Sequence, residues 1–151
     1  MPKRAVDTQA TATTGLVALL QELTRRGARS VTEARALNRK VLRISNSLGE
    51  ELLLIPKSRT SGTWQGSTTD ADLRKASPNT YWVFIDLQAR PRVEYFIVPD
   101  GWMRRNIAEY HAAYLSRHNG RRAVTDTSTH HAIQKGRIAI WRDRWDLIGL
   151  S

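Results

Sequence analysis

The sequence predicts an α+β domain built on a mixed sheet. An apolar stripe at helical spacing lies near the start, strand-like apolar runs fill an almost neutral middle, and a second helical stripe follows them. At 151 residues with 40% hydrophobic content, the chain has the length of one domain and enough apolar material for one core, which excludes full disorder.

Residues 1–12 are small and polar and read as a flexible basic tail, leaving 13–151 as a single domain. Thr13 or Thr14 is placed to cap a first helix whose stripe is Leu16, Leu19, Leu20 and Leu23. Arg25 and Arg26 suit its last turn and Gly27 its end. Val41–Ile44 reads as a strand, Asn46–Gly49 as a turn, and Glu51–Ile55 as the returning strand of a hairpin that Pro56 distorts. Tyr81–Leu87 is apolar on both faces and is predicted to be a central, buried strand, with Val93–Val98 next to it. Pro99 and Asp100 introduce a helix from Gly101 to Arg117 with Met103, Ile107, Tyr110 and Tyr114 on one stripe. Residues 119–136 read as a loop, and Ile138–Leu147 as a short closing helix with Trp141 and Trp145 on one side.

Charge narrows the partner. There are 24 basic and 14 acidic residues, a net charge of +10, and only Lys3, Lys40, Lys57, Lys75 and Lys135 among the cations are lysines. A compact domain with this excess repels itself, and arginine suits forked contacts to phosphate, so DNA is the expected partner and RNA the next. No run of apolar residues is long enough to span a membrane, and the first residues lack a signal peptide's apolar stretch, so a cytoplasmic location is expected. The absence of cysteine removes disulfides, thiolate zinc sites and cysteine nucleophiles. No phosphate-binding GxxxxGK[ST], GxGxxG or GxSxG motif is present.

Three segments carry candidate chemistry. Lys57-Ser-Arg-Thr-Ser-Gly-Thr-Trp-Gln65 leaves a strand and offers Lys57, Arg59, Ser61, Thr63 and Gln65 as donors to a phosphate. His130 and His131 lack a metal-ligand spacing and read as neighbours of a phosphate, together with Arg121 and Arg122. Arg104, Arg105, Arg117, Arg121, Arg122, Arg137, Arg142 and Arg144 interleave with Trp102, Trp141 and Trp145, the mixture of cation and ring that contacts nucleic acid.

Segment 57–65, followed by Tyr81–Leu87, Glu94–Pro99, Ser128–Ile133 and Trp141–Leu147, resembles in residues and order a group of small bacterial proteins of the PD-(D/E)XK nuclease superfamily. The resemblance spans roughly residues 13–150 and implies a restriction-endonuclease-like core. It also implies an Asp on one hairpin strand and a (D/E/Q)-x-K triplet on the next, holding Mg²⁺ for hydrolysis. Carried over by register, the lysine is Lys57, the residue two before it is Ile55, the Asp position falls at or near Arg43, and a helix-borne acid is Glu22.

Here the chain departs from the pattern. Isoleucine offers no oxygen, and arginine puts a positive charge where the ion would sit; two unit charges about 4 Å apart repel by about 4 kcal/mol at an effective dielectric of 20. The expectation is therefore a catalytically inactive nuclease-like domain without a metal or other cofactor, in which Arg43, Lys57 and Arg59 grip a phosphate. Its expected setting is DNA processing or phage defence, as a homodimer or beside an active nuclease subunit. Two rivals stand beside it: an Mg²⁺-dependent endonuclease using a rearranged acid set such as Glu22 with Asp70 or Asp72, and a basic protein-interaction module.

Overall fold

The computed structural model describes residues 2–36, 38–118 and 129–151. In chain order these form α1 (Pro2–Arg25), β1 (Ser30–Ala36), β2 (Arg39–Ser45), β3 (Glu51–Arg59), β4 (Trp64–Ser67), β5 (Thr80–Asp86), β6 (Glu94–Pro99), α2 (Asp100–Arg117), β7 (His130–Ile133) and α3 (Lys135–Ile138). Short 3-10 turns at Thr68–Ala71 and Leu73–Lys75 precede β5, and two more at Ala139–Trp141 and Trp145–Ile148 follow α3.

The main sheet has the order β1-β2-β3-β5-β6. Its first three strands form an antiparallel meander, β5 lies parallel to β3, and β6 returns antiparallel. A separate ribbon pairs β4 with β7, so the segment expected as loop contains a strand at His130–Ile133. The mixed α+β class read from the sequence is the class observed.

Two apolar layers sandwich the sheet. Leu19 and Leu23 of α1 meet Leu42, Leu54, Val83, Ile85 and Ile97 on one face. Met103 and Ile107 of α2 meet Ile55, Trp82, Phe84 and Phe96 on the other. β5 is an interior strand between β3 and β6, with Trp82 to Asp86 all buried, as its unbroken apolar run predicts.

Three expectations change. The first helix begins at Pro2, so residues 2–12 are helical rather than a tail; no glycine or proline interrupts residues 3–14, and Ala5, Ala10 and Ala12 favour continuation over a start at Thr13 or Thr14. β3 runs on through Pro56 to Arg59, because its ladder with β2 has already ended at the Leu42–Leu54 pair. The closing helix is instead α3 plus 3-10 turns, since this segment rounds the outer edge of β6. There Arg142 forms a bridge with Phe96, and the Asp143 N–H donates to the Tyr95 carbonyl at 2.9 Å. Trp141 and Trp145 consequently lie on opposite faces: Trp141 packs edge-on to Trp102 beside the α2 layer, and Trp145 against Tyr95 in the α1 layer.

Gly15 sets how closely α1 approaches β3. A Cβ placed there would lie 1.8 Å from the Ser58 hydroxyl and 2.7 Å from its Cβ, and the second atom cannot rotate away. Gly15→Ala gains about 1 kcal/mol of helix propensity, while overpacking costs about 1–3 kcal/mol, so the variant should be less stable in urea denaturation. In a Ser58→Gly background the same substitution should cost less or become stabilising, because the obstructing side chain is gone.

Candidate nucleic-acid interface

Past the Leu42–Leu54 pair, β2 and β3 no longer share a ladder, and the crossover from β3 to β5 folds over the opening. Lys57 lies there, half-buried, with Nζ 3.1 Å from the Gln65 carbonyl and 5.9 Å from the centre of the Trp82 ring. The Arg39 guanidinium covers the same ring at 5.2 Å and grips both oxygens of the buried Asp70 at 2.8 and 3.0 Å. Burial, and next the Arg39 charge, hold the Lys57 amine below its ordinary pKa, with Asp70 opposing them. Two cations thus share one carboxylate, and the buried Arg39 Nη1 has no hydrogen-bond partner among the described residues.

A buried polar hub places Asp70. Asp100, the first residue of α2, accepts from the Trp82 indole at 2.8 Å, the Ser77 N–H at 3.0 Å and the Arg104 Nε at 3.1 Å. Arg104 in turn reaches the carbonyls of Asp70 and Asp72, both at 3.4 Å. The part of the crossover that follows β4 has only 3-10 turns of its own and is fastened through this hub to β5 and α2.

The structure separates residues that the nuclease register groups. Arg43 pairs with Leu53, not Ile55; carried on from Leu42–Leu54, the register sets Val41 across from Ile55, and both are buried in the α2-side layer. The cation beside Lys57 is Arg39, while Arg43 stays exposed further along the same face of β2, with no ion-pair partner among the described residues. Glu22 is not near Lys57. Thr11 and Ala12 line the cleft at Lys57, and Glu22 is ten residues beyond Ala12, about 15 Å along the helix axis, bonded to Arg25 and Arg26. Asp72 pairs with Arg74, so the rearranged acid set of Glu22 with Asp70 or Asp72 is not assembled.

Several predicted phosphate donors are already engaged. Arg59 bonds to Asp86 at 3.0 Å and to the Gly62 carbonyl, and lies over Trp64. The left-handed φ of 69° at Gly62 makes that turn possible. Arg142 faces Glu94 at 3.4 Å, and Arg144 holds Asp146 at 2.9 Å. Ser61, Thr63 and Gln65 do line the cleft with Lys57. His130 and His131 pair with Ser67 and Gly66 across the ribbon, and His131 Nε2 lies 3.0 Å from Arg137. Arg121 and Arg122 lie outside the described residues.

Arg39 was not singled out from the sequence, whereas Asp70 entered only as an acid of the rival metal set and Arg137 only as one of a run of C-terminal arginines. Arg39 has the Arg-Lys doublet as its only local signal, and Asp70 sits in a polar stretch like any loop acid. Arg39 reaches Lys57 from the end of β2, and only the crossover brings Asp70 there.

Two measurements probe these contacts. Because its pKa is lowered on folding, Lys57 costs stability while it is charged, and this cost fades as pH rises through the folded-state value. Lys57→Met should therefore keep or raise the denaturation midpoint at neutral pH. Asp86 behaves oppositely: burial alone would raise its carboxyl, but the bonds from Arg59 and Lys135 outweigh this and hold it below the ordinary range. Its contribution is complete above about pH 4, the unfolded value, and disappears as pH falls through the folded one. Asp86→Asn should lower stability at pH 7 and flatten the acid limb of the stability–pH curve. No family model, curated protein or solved structure matches the chain, so its functional assignment rests on this geometry.

Proposed function

We propose that the chain is a catalytically inactive, endonuclease-like domain that binds nucleic acid through its phosphates, with DNA as the principal partner. The observation that carries the reading is the charge at Lys57. Where the nuclease pattern needs two carboxylates and a lysine, Lys57 and Arg39 face Asp70 alone, and the Ile55 side chain is packed into the core. A cation site has become an anion site. The hydroxyls of Ser61 and Thr63 and the exposed Arg43 widen it, and the net charge of +10 supplies long-range attraction. The order of helix, antiparallel meander and parallel strand supports the endonuclease-like reading. On this reading the domain positions DNA for an active partner subunit in DNA processing or phage defence.

Fluorescence anisotropy over a salt series tests the binding. If about five phosphates are neutralised, log K should fall with log salt at a slope of about −4 to −5. Lys57→Met and Arg43→Gln should each weaken binding and reduce the slope by about 1. Arg144→Gln should leave it unchanged, since Arg144 is already neutralised by Asp146. A flat salt response defeats the reading, and so does Mg²⁺-dependent DNA cleavage that Lys57→Met abolishes.

A further inference from the structure

A cleft of about 860 Å³ opens between the second half of α2 and the β7–α3 segment. Arg137 lies on its wall, half-buried, and its guanidinium stacks 3.8 Å from the centre of the Tyr110 ring. Five contacts lock that guanidinium: two to the Asn106 carboxamide oxygen at 3.0 and 2.7 Å, one each to the Ala132 carbonyl and the Gln134 side chain, and one to His131. All these partners are uncharged groups or an imidazole, and no carboxylate pairs with Arg137 among the described residues. No described carboxylate therefore neutralises this half-buried positive charge beside the cleft.

Tyr110 is 47% exposed although Arg137 covers one of its faces. It is a large ring held in place, so a second flat group can stack on it at little conformational cost. Arg117 lines the same cleft without an ion-pair partner, and Glu109 is the one carboxylate on its wall, among the described residues. The β4–β7 ribbon connects this cleft to the first site: Gln65 pairs with Ala132, and the Gln65 carbonyl receives the Lys57 amine.

We propose that this cleft binds a single unstacked nucleotide, with its base on Tyr110 and its phosphate in the field of Arg137 and Arg117. The inference deepens the nucleic-acid reading and rests on it for the source of that nucleotide, a strand end or unpaired position. A base inside a duplex cannot reach the ring, so the cleft distinguishes frayed or single-stranded ends from continuous duplex.

Anisotropy with a blunt duplex and with an overhanging duplex of equal phosphate number tests the idea, alongside titration with AMP and with inorganic phosphate. The overhang should bind about tenfold more tightly, the scale of one stacked base. Tyr110→Ala should erase that preference and leave blunt-duplex affinity unchanged, while Tyr110→Phe keeps it. An equal loss on both duplexes, or a preference that survives Tyr110→Ala, overturns the proposal while leaving duplex binding intact. If neither duplex binds, the nucleic-acid reading fails, and the AMP arm decides the cleft alone. Saturable AMP binding that is lost in Tyr110→Ala and not matched by inorganic phosphate then supports a free-nucleotide site, and no saturation at millimolar AMP overturns it.

Discussion

The Asp100 carboxylate is the contact on which the site's geometry depends. It is almost fully buried, and so is its partner Arg104. Removing one member of such a pair leaves an unpaired charge in the core, which costs about 3–5 kcal/mol. The pair persists because Asp100 also accepts from Trp82 and Ser77, so one carboxylate joins β5, the helix start and the crossover. A parallel connection between β3 and β5 is usually covered by a helix packed on the sheet. Here the connection holds strand β4, whose Trp64 is buried in the α2-side layer, and two 3-10 turns, which polar bonds to Arg104 hold in place. Asp70 faces Arg39, and thereby Lys57, as a consequence of this fastening.

The cations divide by whether an acid answers them. Arg59 and Lys135 share Asp86, Lys135 also reaches Glu94, and Arg142 and Arg144 each have a carboxylate. These tie the ends of β3, β5 and β6 to the C-terminal segment and add little outward field. Lys57 with Arg39, Arg43, and Arg137 with Arg117 belong to the other class, in which positive charge exceeds its local neutralisation. Positive charge at these positions is left over after local pairing, and such local excess directs binding more than the total does.

The C-terminal segment closes the opposite edge of the sheet. By passing round β6 it buries Trp145 on the α1 side and supports Trp141 on the α2 side, sealing both layers and leaving β1 as the open edge. Thr32, Glu33 and Arg35 are exposed on β1, and charged side chains along an edge discourage pairing with other strands.

The sequence alone determined the elements whose signal is local and periodic. The stripe Leu16 to Leu23, the apolar run Tyr81 to Leu87 and the helix after Pro99 follow from burial on one face or two, and the mixed α+β class follows from their order. Lys57 with its hydroxyl-rich loop was legible as well, since donors cluster there within nine residues of sequence. The tertiary structure decided the rest, because the decisive contacts join residues distant in the chain. Arg39 meets Asp70 across 31 positions, and Arg137 meets Asn106 across 31. The β2–β3 register moved Arg43 away from the Ile55 position, since in a strand a two-residue offset keeps the face but changes the neighbour. The path round β6 split two tryptophans that helical spacing would have kept together. Neither the turn that sets a register nor the edge that bends a helix has a periodic signature, so charge pairing and packing between remote segments fixed which of the described cations meet a carboxylate and which do not.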